Sequence, residues 1–312
     1  MPRLLLGIRF FNPNVRSPRI APGRRACKNS SEVQLAVEKG LFYIEDISIR
    51  WWEKKKCVSC HEGAMLLFSH NIAKRQGFPI DQDKLDFWTE KWVIPGGLVN
   101  TRKSDGRQDA GGMISAPLTM FYRDFGADKD PQRANSLGKL IQIAGKDWQQ
   151  EDGSWDIEKI RMDYTPWMLL ALESLKKTEI PLTDKLRKEI TERRQRSDLW
   201  LSNSTITIPE KTEDLAAWVV YLHRHGSTAE ADAFLKELLD RRREDGLWGV
   251  DRSFKFEHQL VTSAVLFAMT SIGRDMSDPV VAETQRLLLD LQQDDGQLGR
   301  RRSYLRQGSR RD

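Results

Sequence analysis

The residues best placed for chemistry are Cys57, Cys60 and His61, in the stretch Lys54-Lys55-Lys56-Cys57-Val58-Ser59-Cys60-His61. Two thiols three positions apart at the start of a helix can both reach the vinyl groups on one edge of a porphyrin. The next residue then brings an imidazole under the iron. C-x-x-C-H is therefore the attachment pattern of a covalent c-type haem, with His61 as the proximal ligand. The chain holds only three cysteines and five histidines, so their meeting in one pentapeptide is a specific signal. The same three residues with a fourth donor, such as Cys27, would also suit zinc. A redox dithiol fits less well, because no βαβ pattern surrounds the pair.

What a haem could do depends on its second axial ligand. Met65 lies four residues past His61 and shares its helix face, so it stays on the proximal side. His70 is nine residues on, on the opposite face, and reads as structural. His61 follows Trp52 by nine residues and His258 follows Trp248 by ten, which makes His258 the first choice for the distal position. Met113 is the second. His223 and His225 end a helix at Gly226, where histidines serve as C-terminal dipole partners. Asp163, Tyr164 and Glu257 sit at helix starts and would give a cavity mouth polar groups.

These residues must be positioned by helices, and the composition allows for that. The 312 residues are 39% hydrophobic and 30% charged, enough for a substantial core. No run is long enough to span a membrane. The formal charge of +5 is concentrated at the two ends. Residues 1–28 carry seven basic residues and no acid, and residues 300–312 carry six arginines and one aspartate. Taking these +7 and +5 from the total leaves −7 for residues 29–299. Nucleic-acid binders place basic residues on a folded face, so nucleic acid is not the expected partner. Residues 1–30 and 300–312 read as basic extensions around a domain at 31–299. Haem attachment of this type takes place outside the cytoplasm, in a compartment such as the periplasm. The start Met1-Pro2-Arg3-Leu4-Leu5-Leu6-Gly7-Ile8-Arg9 makes a poor export signal, because Arg9 interrupts a short apolar run.

The domain is repetitive. Asp-Gly, or a relative of it, recurs at Asp105-Gly106, Asp152-Gly153, Ser197-Asp198, Asp245-Gly246 and Asp295-Gly296, every 45 to 50 residues. Trp155, Trp200 and Trp248 follow three of these, Leu298 follows the last, and Trp51-Trp52 marks an earlier copy. A second marker runs out of phase: Gly77, Gly126, Gly226 and Gly273 each end an apolar stretch. Two markers per period predict two helices per unit. One is apolar all round and buried (61–76, 112–125, 164–176, 214–225, 259–272). The other is amphipathic (229–243, 279–293).

Gln149-Gln150-Glu151-Asp152-Gly153-Ser154-Trp155 resembles the QW repeat of squalene–hopene cyclases. Arg242-Arg243-Glu244-Asp245-Gly246-Leu247-Trp248 and Gln292-Gln293-Asp294-Asp295-Gly296-Gln297-Leu298 are weaker copies. In that family and the related prenyltransferase β-subunits, such repeats build an α/α toroid, with Gln and Trp tying an outer helix to the next turn. The resemblance covers about residues 31–299 and implies an all-α ring of helical hairpins. Cyclases of the family protonate substrate from a D-x-D-D motif, which this sequence lacks. No inner helix follows Leu298, so the ring is either open or completed by residues 1–30.

The expected function is therefore redox: an electron-transfer protein carrying haem c on Cys57 and Cys60, with iron on His61 and His258. Its partner would be a redox protein or a small electron donor or acceptor. The alternative is a cyclase-like enzyme or a module that holds an apolar polyprenyl or lipid ligand in the ring cavity, with the C-x-x-C-H unused or binding zinc.

Overall fold

Each helical hairpin pairs one apolar helix with one amphipathic helix, so buried and half-buried runs alternate along the chain. The computed structural model describes residues 30–55, 62–92, 101–102, 108–109, 131, 142, 145–146, 148–155, 165–175, 181–226, 228–251 and 258–299. Among these residues the chain forms nine helices. They are α1 (Ser30–Lys55), α2 (Glu62–Arg75), α3 (Gln82–Trp92), α4 (Thr165–Ser174) and α5 (Asp184–Asn203), then α6 (Thr212–His225), α7 (Thr228–Asp240), α8 (His258–Ser271) and α9 (Pro279–Leu291). Two-residue strands β1 (Thr101–Arg102) and β2 (Gln108–Asp109) pair antiparallel. Apart from that ladder the described chain is all-helical, as expected.

The core sits between α2, α4, α6 and α8. Every residue of α4 from Thr165 to Leu172 is buried. So is every residue of α6 from Leu215 to Leu222. A fully buried Leu or Val side chain is worth about 1.5–3 kcal/mol, so these helices dominate the burial energy. The amphipathic helices contribute single stripes: Ala231, Phe234 and Leu238 in α7, and Val281, Leu287, Leu288 and Leu291 among others in α9. Successive helices pack as hairpins (α1 with α2, α4 with α5, α6 with α7, α8 with α9), and α6 lies against both α4 and α8. Helix starts are capped as the residue types demand. Thr183 accepts from the Leu186 N–H, and Asp278 accepts from Val280 and Val281 ahead of Pro279. Gly77 and Gly273 follow α2 and α8 with φ of 86° and 91°. Gly226 instead ends α6 in extended backbone.

The Asp-Gly turns are three copies of one structure. In each, the aspartate carboxylate accepts the N–H two residues on, from Ser154, Leu247 or Gln297. In each, the second residue of the motif (Gln150, Arg243 or Gln293) donates its N–H to the carbonyl four residues on. The first residue reaches across to another helix. Gln149 Nε2 donates to the Arg193 carbonyl of α5 at 2.9 Å, and Gln292 Nε2 donates to the Ala36 carbonyl of α1 at 2.9 Å. Arg242 replaces that hydrogen bond with an ion pair to Glu283 of α9 at 2.9 Å. The turn glycine is required because the gripped helix leaves no room. A Cβ on Gly153 would lie 2.3 Å from the Arg196 carbonyl oxygen, and one on Gly296 would lie 2.1 Å from that of Lys39.

Two repeat markers fall elsewhere than expected. Ser197 and Asp198 form no turn; both lie within α5, which runs unbroken from Asp184 to Asn203. Ser197 is fully buried and serves as the socket for the neighbouring turn: its hydroxyl accepts from Trp155 Nε1 at 2.8 Å and donates to the Gly153 carbonyl at 3.0 Å. Trp51 and Trp52 lie within α1 and so are not counterparts of Trp155 or Trp248. The expected inner helix at 112–125 lies outside the described residues, as do residues 1–29 and 300–312.

Candidate functional site

Cys57, Cys60 and His61 fall between α1 and α2 in the chain, outside the described residues. The last turns of α1 carry Trp51, 39% exposed, and the half-buried Trp52. α2 begins at Glu62 and at once enters the core: Gly63 is buried, Met65 packs against the core cluster, and Leu66 and Leu67 have no exposure. The helix that follows the motif in sequence is thus an interior one. His258 is the first residue of α8, a second interior helix; its side chain lies outside the described part. Cys27, Met113, Asp163, Tyr164 and Glu257 lie outside it as well.

Trp52 and Trp248 are not equivalent positions, because Trp52 lies within α1 and Trp248 follows a turn, so their spacings to His61 and His258 set no common register. A ring contact gives a sounder register. Phe68 of α2 meets Phe267 of α8 edge-to-face with centroids 5.9 Å apart. Phe267 also stacks on Trp167 of α4 at 6.4 Å, so three aromatic rings fill the space among α2, α4 and α8.

His70 is structural, as its helix position implied. It is 3% exposed, and its Nδ1 lies 2.9 Å from the Leu66 carbonyl oxygen. The ring packs edge-to-face on Trp88 of α3 at 5.4 Å. Nε2 lies 4.0 Å from Glu45 of α1, which pairs with Lys84 of α3 at 2.8 Å. Burial lowers the imidazole to about 4, against the opposing pull of its hydrogen bond and of Glu45. A neutral His70 therefore pins three helices together.

A second polar cluster lies where α4 and α6 end, away from the helix start that follows the motif. His225 Nε2 is 2.9 Å from Glu173, with Arg224 at 3.9 Å. The Tyr221 ring packs on His225, and its hydroxyl accepts from Arg194 at 3.3 Å. Burial pushes the Glu173 carboxyl up, but His225, Arg224 and Arg194 together bring it below its usual value. This cluster is assembled from residues far apart in the chain. Only the position of His225 in the last turn of a helix hinted at it.

Among the described residues no group of three His, Cys, Asp or Glu side chains could hold a metal, and no helix is long and apolar enough to cross a membrane. No family model, curated protein or solved structure matches the chain.

Proposed function

We propose that this chain is a c-type haem protein that exchanges single electrons, built on a helical ring. One observation carries the reading: C-x-x-C-H at 57–61 immediately precedes an interior helix, where an attached porphyrin would be held against the packed end of the domain. When bound, the haem iron supplies one-electron exchange. The chain supplies the thioether anchors Cys57 and Cys60, the proximal imidazole of His61 and an apolar surround that includes Trp52 and Met65. The electron partner is a redox protein or a small donor or acceptor, and attachment takes place outside the cytoplasm.

Three contacts support an α/α toroid. The turn after α7 holds α9, the turn after α9 holds α1, and the turn at 149–155 holds α5. α7 is thereby tied to α9 and α9 to α1, so the last described turn returns to the first described helix. Interior helices joined through short outer hairpins run in one direction. Phe68 stands seven residues beyond His61, and its ring partner Phe267 stands nine beyond His258. At a rise of about 1.5 Å per residue the two histidines extrapolate to within ~3 Å of the same height. That supports His258 as the distal ligand.

The ring contacts of Phe68, Trp167 and Phe267 favour a packed interior among α2, α4 and α8 over a lipid-holding one. Intact-mass analysis of protein purified from its own host, before and after acid–acetone extraction, tests the proposal. A haem mass that survives extraction and is lost in a Cys57→Ser/Cys60→Ser variant is the expected result. An apoprotein mass with stoichiometric zinc would replace this reading by a structural metal site.

A further inference from the structure

The grip of the last turn on α1 leaves a cleft of about 420 Å³ at the seam. Tyr43 is part of its lining, and the Tyr43 hydroxyl accepts a hydrogen bond from Gln297 Nε2 of the turn at 2.8 Å. Its rim is acidic: Glu38 and Asp46 stand on the α1 side, and Asp294 and Asp295 stand on the turn side. Lys39 and Arg50 also line it, and Arg50 is paired with Asp46, so the lining carries a net −2. Phe42 projects into this setting at 71% exposure, with Leu35 one heptad earlier at 53%. A phenyl ring left bare beside surplus carboxylates presents both elements that a guanidinium binds, a carboxylate fork and an aromatic face.

A ligand of that chemistry is joined to the cleft wall. Gly299 is held in place: its N–H donates to the Leu291 carbonyl at 2.8 Å, and its own carbonyl accepts from Gln259 at 2.9 Å. Arg300-Arg301-Arg302-Ser303-Tyr304-Leu305-Arg306 follows directly, within a segment of net charge +5. A strand of three to six residues reaches roughly 10–20 Å, ample for a cleft whose rim includes Asp295, four residues upstream. Tethering raises the effective concentration to about the millimolar range, so modest contacts suffice.

We propose that the arginine-rich segment 300–312 docks in cis into the seam cleft between α1 and the turn at 292–298, with arginines on Glu38, Asp294 and Asp295 and Tyr304-Leu305 over Phe42. The basic segment 1–28 is the poorer occupant. It enters α1 at Ser30, eight residues and about 12 Å of helix from Glu38. The docked segment would lie beside the joint that ties the last described turn to α1.

Photo-crosslinking of the full chain tests this, with Phe42 replaced by p-benzoyl-phenylalanine. The expected product is an intramolecular cross-link to a peptide within 300–312. Its yield should fall at least about fivefold in an Arg300→Glu/Arg301→Glu/Arg302→Glu variant and in high salt, where exposed charge pairs are screened. The same photo-reactive residue at Leu199, exposed on α5, should not capture the segment. Cross-links to residues 1–29 or to a second copy of the chain would overturn the proposal. So would a yield that the arginine replacements leave unchanged, or one no higher than at Leu199.

Discussion

Gln292 donates its side-chain N–H to the carbonyl of Ala36, 256 positions earlier, at 2.9 Å. The contact matches the one between Gln149 and Arg193, so the same kind of turn that links units within the chain also ties the last described turn to the first described helix. Gln292→Ala should cost about 1–2 kcal/mol, because the Ala36 carbonyl loses its side-chain donor. Gln149→Ala should cost a similar amount. Chemical denaturation of the two variants checks the equivalence; a neutral Gln292→Ala would mean that the closing contact adds nothing to stability.

Glycine substitutions separate backbone strain from steric exclusion. Gly77 and Gly296 both have left-handed φ, 86° and 88°, but a Cβ on Gly77 meets nothing within 4 Å. On Gly296 it would overlap the Lys39 carbonyl oxygen. Gly77→Ala should therefore cost about 1 kcal/mol from conformation alone, and Gly296→Ala clearly more. Equal losses in a denaturant titration would show that the seam is looser than described.

Burial of His70 sets an acid limit on stability. Its folded value of about 4 lies below the unfolded value of 6.5, so the unfolded chain binds the extra proton between these two pH values. The contribution of neutral His70 is complete above about pH 6.5 and is lost as pH falls toward 4, by as much as about 3 kcal/mol. Glu45 and Lys84 face the ring, and the pair moderates but does not reverse this sign. His70→Gln should flatten the dependence of the melting temperature on pH across that window. A variant with the slope of the parent would assign acid sensitivity to the carboxylates.

Much of this architecture was legible in the chain because the hairpin unit is local. Apolar runs gave α4, α6 and α8 to within about two residues, and Asp152, Asp245 and Asp295 gave the three isostructural turns. The Ser197-Asp198 marker failed because its period coincides with a turn while its role is tertiary. Ser197 lies in α5 and receives Trp155 from the turn at 149–155, a contact that no local pattern announces. Pairing of Glu173 with His225 was hidden for the same reason, since it depends on α4 and α6 ending side by side. The site was legible as a motif, and its residues lie outside the described structure.

Phe267 joins α8 to α2 through Phe68 and to α4 through Trp167. Phe267→Ala should cost about 3–5 kcal/mol by leaving a cavity between them. A loss under 1 kcal/mol, read from denaturant midpoints, would show that the interior collapses around the gap.

The central claim is covalent haem at Cys57, Cys60 and His61, and the most direct measurement is the absorption spectrum of the host-purified protein, oxidised and dithionite-reduced, with a pyridine haemochrome assay after acid–acetone extraction. The account predicts a Soret band, sharp reduced α and β bands that survive extraction, and their loss in the Cys57→Ser/Cys60→Ser variant. A colourless, iron-free protein would contradict it.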